Sequence, residues 1–276
     1  MACTKPAVLR PNQMDYVASS AAEKQSLREI ASRTRPNSQV PDAFISPAVL
    51  LCCGEDRDEL EQVMEKATAE KPVATHQYRC YLFYMYPRFT LIWTGIGTGC
   101  LEPLIFEITD KGLVEGIVLI GTAGYIGKDR SRLGKVYLLN KATPAASGVQ
   151  LSNDIPLEPR FPGVGTLGLP TAPIVSTDNY YGFSARDDAR VRAAHDANPH
   201  LRQAVERYWQ DGMCIDMEVA PFYHLASHCD PMLKFAAIKG VANLGDGYFE
   251  QSTYSRAVLQ ESARMGLQLL DLMQTV

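Results

Sequence analysis

The stretch "CIDMEVAPFYHLASHCDPMLKFAAIKGVANLGD", residues 214–246, packs a strand end, a helix and a second strand into one short run. "CIDMEV" is a strand end that feeds the helix "APFYHLASHC". "LKFAAIKGV" is apolar on both faces, the pattern of a strand buried between two layers. It then breaks into Gly, Asn and Asp. In layered α/β proteins ligands bind beyond the carboxyl ends of such strands. Asn243 and Asp246 are therefore candidates for contact with a ligand.

Working outward, the same alternation fills the chain from Ala48 on. "AVLLCC" reads as a short buried strand. "EDRDELEQVMEKATAE" follows, with Leu60, Val63, Met64 and Ala67 at helical spacing. "YRCYLFYMYP" and "RFTLIWTG" read as two strands joined by a tight Pro-Arg turn. "CLEPLIFEITDKG" reads as a helix with Pro103 in its first turn and Gly112 at its end. "GIVLIGTAG" and "KVYLL" are further strands, and residues 140–172 read as a long Pro- and Gly-rich loop. "APIVST" is a strand, "HLRQAVERYWQ" a helix, and "STYSRAVLQESARMGLQLLDLM" a long C-terminal amphipathic helix. Strands alternating with helices predict an α/β layered sandwich with a central mixed, strongly twisted sheet flanked by helices. Residues 1–44 differ, with a short helical stretch and then a polar, Pro-rich one. They read as an N-terminal extension to a single domain spanning 45–276.

Composition narrows the function classes. With 46% hydrophobic and 21% charged residues, the 276-residue chain is ordinary globular material. A net charge of −4 and the lack of a basic stripe argue against nucleic acid or an anionic membrane as partner. Seven cysteines without CxxC spacing suggest neither a disulfide frame nor a zinc site, and point to a reducing, cytoplasmic setting. "MACTKPAVLRPNQ" lacks the apolar core of a signal peptide, and no run is long enough to span a membrane. His224 and His228 stand four apart on a helix, but no acid follows at HExxH spacing. No metal site is expected there.

Two glycine turns follow apolar strands, "TGIGTG" at 94–99 and "IGTAGYIG" at 120–127. Glycines let backbone N–H groups approach an anion or a sugar. Neither turn fits the dinucleotide or P-loop pattern. Together with a Met-Glu pair opening a helix and a strand ending in (K/R)-G-V-x-(D/N), they resemble the nucleoside phosphorylase and nucleosidase family. That family includes purine nucleoside phosphorylases, uridine phosphorylases and methylthioadenosine/adenosylhomocysteine nucleosidases. "WTGIGTG" resembles its first glycine turn, "IVLIGTAG" its G-(S/T)-x-G turn, and "STDNYYGFSAR" its base-binding stretch. The resemblance runs through about residues 48–275 in the family's order.

The resemblance implies cleavage of the N-glycosidic bond of a nucleoside, with no organic cofactor, by a homo-oligomer (dimer or hexamer). It places Glu218 on the ribose hydroxyls and Met217 against the sugar. Gly97, Thr98 and Thr122 fall at the nucleophile or phosphate site. An ungapped match of "GEDRDEL" to the nucleosidase pattern G-A-M-x-x-E puts Glu59 where a carboxylate activates water. The phosphorylase loop G-D-P-x-R is absent, and Leu119, or Ile120 if the register slips by one, stands where purine phosphorylases carry Arg. These features favour hydrolysis, whereas Arg57, Arg79 and Arg88 leave open a phosphate site with inorganic phosphate as cosubstrate. Tyr180 and Arg186 occupy base-binding positions, with Ser184 where uridine phosphorylases have Gln. Asn243 replaces the Asp that serves 6-aminopurines. An amide suits a 6-oxopurine, Asp246 is an alternative proton donor, and a base other than a purine stays open. The departures at Leu119, Ser184 and Asn243 also fit a non-catalytic nucleoside-binding protein.

Overall fold

The computed structural model describes residues 40–145, 157–161, 164–184, 188–245 and 254–274. Strand β1 (Ala48–Cys53) is buried along its whole length. Helix α1 (Arg57–Thr68) follows, capped by Asp56, whose side chain accepts from the Glu59 N–H. A meander of β2 (Ala74–Tyr78), β3 (Tyr81–Met85) and β4 (Thr90–Thr94) leads to α2 (Thr98–Asp110). Then come β5 (Gly116–Ile126), β6 (Val136–Pro144), β7 (Thr171–Ser176), the short α3 (Tyr180–Ser184), α4 (Ala189–Ala197) and α5 (Pro199–Asp211). The chain ends in β8 (Met213–Asp216), α6 (Val219–Cys229), β9 (Lys234–Leu244) and α7 (Ser255–Gln274).

The described strands form one mixed sheet in the order β2-β3-β4-β1-β5-β8-β7-β6-β9, and β9 returns to pair with β5. Strands β5, β9, β6, β7 and β8 thus close into a ring. Alternation along β1 builds the layers. Val49, Leu51 and Cys53 point to one face, among Leu101, Leu104 and Ile108 of α2 and Val219, Phe222 and Ala226 of α6. Ala48, Leu50 and Cys52 point to the other, among Leu60 and Met64 of α1 and Val258, Leu259 and Leu270 of α7. This is the layered mixed α/β fold expected from the sequence.

Several boundaries differ from the expectation. The strand expected to stop at its glycines, β5, runs on to Ile126. It can do so because β8 and β9 supply partners beyond the turn, with a register shift at Ala123/Gly124. Similarly, β9 continues through Asn243 to Leu244, so Asn243 lies inside a paired strand. Helix α2 starts at Thr98, which moves Pro103 into its second turn. The polar edge strand β2 has no apolar run to announce it. Inside the expected 140–172 loop, β6 extends to Pro144, and Leu157 and Arg160 bridge to Ala142 and Phe235.

One irregularity positions the site. On one edge of β5, β1 pairs with residues 116–120 and β8 with residues 124–126. Residues 121–123 face neither strand.

Candidate active site

Glu55, in the loop after β1, reaches into this gap and accepts a hydrogen bond from the Thr122 N–H. A side-chain acceptor thus replaces the missing strand partner. Gly121 keeps φ at +149°, and a Cβ there would come within 2.9 Å of Glu55 Oε1. Burial raises the Glu55 pKa above its ordinary value, against the opposing pull of Thr122.

Glu218 stands at the start of α6. Its Oε1 accepts from the Gly97 N–H at 3.2 Å, and its Oε2 from the Met217 N–H at 3.3 Å and Lys239 Nζ at 3.0 Å. Lys239 Nζ also lies 2.8 Å from Asp216 Oδ2. All three charged groups are buried. Asp216 is fixed in turn by the Ser176 hydroxyl at 2.5 Å and the Val219 N–H at 3.1 Å. Asp216 and Ser176, which accepts from the Ala220 N–H, therefore satisfy the first turn of α6. Burial works against the charge on Lys239, but Asp216 and Glu218 more than offset it and hold the ammonium well above its usual pKa. For Glu218, burial raises the pKa and Lys239 only partly counters it.

These groups line a cavity of about 290 Å³ with Met217, Thr122, Asp178, Tyr180, Tyr181 and Asn243. Asn243 lies opposite Gly124 in the β5–β9 ladder. Its Oδ1 accepts from the Tyr180 hydroxyl at 3.4 Å, which leaves its N–H group as the donor in this orientation. The absence of a side chain at Gly124 keeps this end open. A Cβ there would fall 2.4 Å from Tyr180 Oη and 2.7 Å from Asn243 Oδ1. Ile96 and Tyr181 stand exposed at the mouth.

The structure brings together Met217, Glu218, Tyr180, Asn243 and Thr122 from the residues expected at the site. Gly97 donates its N–H to Glu218 without lining the cavity, and Thr98, the first residue of α2, does not line it either. Glu59 sits in the first turn of α1, outside the cavity lining, and Glu55 occupies the gap. The helix begins two residues after Glu55. Arg186 and Asp246 lie outside the described residues. Arg57 pairs with Glu61 and Tyr84, Arg79 with Glu107, and Arg88 with Asp271, and none of the three lines the cavity. Leu119 is buried in the core, and Ser184 bonds back to the Tyr180 carbonyl. The His224 and His228 rings lie tilted against one another with centroids 4.1 Å apart and do not line the cavity.

Sequence reasoning missed Glu55, Asp216 and Lys239. Lys239 had a visible signal, since a lysine inside a strand apolar on both faces needs a buried counter-ion.

No family model matches the chain, and no curated protein matches it. Solved structures do match in fold. Purine nucleoside phosphorylase from Toxoplasma gondii, in complex with immucillin-H, superposes with a TM-score of 0.61 at 18% identity, covering 84% of this chain and 94% of that one. AMP nucleosidase from Bacteroides thetaiotaomicron gives 0.59 at 14% identity, covering 90% and 97%. A 5'-methylthioadenosine/S-adenosylhomocysteine nucleosidase from Colwellia psychrerythraea, in complex with adenine, gives 0.57 at 14%, covering 83% and 96%. The chain has the nucleoside phosphorylase/nucleosidase fold.

Proposed function

We propose that this chain is an enzyme that hydrolyses the N-glycosidic bond of a purine nucleoside, with a 6-oxopurine as the favoured base. The observation that carries this reading is the Glu55 carboxyl group, held in the β5 gap in the same cavity as Glu218. Cleavage builds positive charge on the sugar and negative charge on the leaving base. Glu218 is suited to the sugar. Three donors fix it, and lone pairs on its two oxygens remain to accept from adjacent hydroxyls. Lys239 and Asp216 are positioning residues that hold this carboxylate in place. Glu55 is suited to take a proton from water as the water attacks, a role worth about 10²–10⁴ in rate. Met217 offers an apolar surface to the sugar, Tyr180 an aromatic face to the base, and the Asn243 N–H a donor to a ring nitrogen or 6-oxo group.

Water is favoured over phosphate because no arginine is among the described lining residues, where carboxyl groups outnumber the single lysine. A phosphate dianion entering there would meet net repulsion. The test is turnover of a nucleoside panel with and without inorganic phosphate. Free ribose released at the same rate in both conditions is expected. Strict phosphate dependence with ribose 1-phosphate as product overturns hydrolysis. Ligand-induced thermal shifts with no turnover of any nucleoside overturn the enzymatic reading.

A further inference from the structure

Two thiols meet beside the candidate site, and the hydrolysis proposed above uses neither. Cys80 is exposed, in the tight turn between β2 and β3. Cys100 is half-buried in the first turn of α2, and its thiol is hydrogen-bonded to that of Cys80. Strand register accounts for the meeting. Leu82 of β3 pairs with Trp93 of β4 in an antiparallel ladder, so two residues further on Cys80 comes beside Gly95. Gly95 in turn adjoins Cys100, since a Cβ there would stand 3.0 Å from Cys100 Sγ. An ion pair fastens the same turn to the same helix, with Arg79 Nη1 3.0 Å from Glu107 Oε1. Cys100 and Glu107 are two helical turns apart and share a face of α2. The other described cysteines, Cys52, Cys53, Cys214 and Cys229, are buried.

Cys100 also belongs to the frame that holds Glu218. Its N–H donates to the Gly97 carbonyl at 3.2 Å, and the Gly97 N–H donates to Glu218 Oε1 at 3.2 Å. We propose that Cys80 and Cys100 are a redox modification site, joined into a disulfide by a small oxidised thiol such as glutathione disulfide, and that the new bond slows the enzyme. The effect on turnover rests on the hydrolytic reading above, whereas the disulfide does not. Cys80, the exposed thiol, gives up its proton and attacks one sulfur of the oxidant. One glutathione leaves as a thiol with that proton, and a mixed disulfide remains on Cys80. The Cys100 sulfur gives up its own proton, attacks the Cys80 sulfur and releases the second glutathione as a thiol. Two protein thiols are oxidised to one disulfide, and one glutathione disulfide is reduced to two thiols. The bond draws the sulfurs to about 2 Å, well inside the roughly 3.5–4.0 Å of unbonded atoms. The first turn of α2 follows Cys100 toward the hairpin, and Gly97 follows through its hydrogen bond to Cys100. The Gly97 N–H is thereby drawn off Glu218.

The test incubates the full chain with glutathione disulfide, blocks the remaining thiols and maps the cross-links by non-reducing peptide mass spectrometry. A peptide joining Cys80 to Cys100 is expected, with a fall in kcat/KM of about 10- to 10²-fold that dithiothreitol reverses. Cys80→Ser is expected to keep the activity of the reduced parent and to lose the sensitivity to oxidant. Absence of the cross-link, or pairing of either thiol with Cys3 instead, overturns the inference. So does unchanged turnover in the cross-linked protein, or inhibition that persists in Cys80→Ser. The Gly97 amide resonance reads the displacement without turnover. It is expected to shift on oxidation of the parent protein and to stay in place in Cys80→Ser. Failure of the hydrolytic reading looks different, since the reduced protein would then hydrolyse no nucleoside, and the cross-link and the Gly97 shift would still decide the thiol pair.

Discussion

Glu55 and Glu59 lie four residues apart, one in the loop after β1 and one in the first turn of α1, and only Glu55 lines the cavity. Glu55→Gln keeps an oxygen for the Thr122 N–H but removes the base. It is expected to lower kcat by about 10²–10⁴ with the fold intact by circular dichroism. Glu59→Gln should leave kcat/KM close to that of the parent protein, and the reverse pattern would return the role to Glu59. Burial raises the Glu55 pKa, and only the ionised form accepts a proton. Activity should therefore rise with pH through a midpoint above the ordinary carboxyl value of 4.5. An acid limb at or below that value counts against Glu55 as the base. Lys239→Met leaves Asp216 and Glu218 buried without their cation. It should cost about 3–5 kcal/mol of stability, read from denaturant unfolding. Met217, Glu218 and Asn243 were legible because each sits inside a short motif with a fixed neighbour. The Glu55–Thr122 and Lys239–Asp216 contacts were not, because they join distant segments across the sheet.

At the scale of elements, hydrophobic spacing was a sound guide where helices are amphipathic and strands are buried on both faces. The buried Leu60, Val63 and Met64 of α1 are three of the four positions the spacing had singled out. It did poorly at strand ends. How far β5 and β9 extend depends on which partners continue beside them, and no local pattern records that. Their tight packing carries its own expectation. A Cβ on Gly240 would lie 2.2 Å from Val258 Cβ and 3.1 Å from its Cα, so β9 and α7 meet there with no room for a methyl group. Gly240→Ala should lower stability by about 1–3 kcal/mol, and an unchanged Tm would contradict the contact.

For the whole molecule, the layered class followed from alternation alone, but the closure of β5, β9, β6, β7 and β8 did not. Closure depends on sheet twist and on long-range pairing between β5 and β9, neither of which has a sequence period. Both strands are buried between layers, and each has strand partners on both of its edges. Their amides are expected to be the slowest to exchange with solvent, and those of the β2–β3 hairpin among the fastest. Uniform exchange across the sheet would argue against a closed core. The gap at residues 121–123 makes one hydrogen bond of this sheet depend on an ionisable group. A carboxylate is the stronger acceptor, so protonation of Glu55 weakens its hold on the Thr122 N–H. Under the proposed chemistry each turnover loosens and then restores one link of the central sheet, and the Thr122 amide resonance would report the proton's arrival and departure.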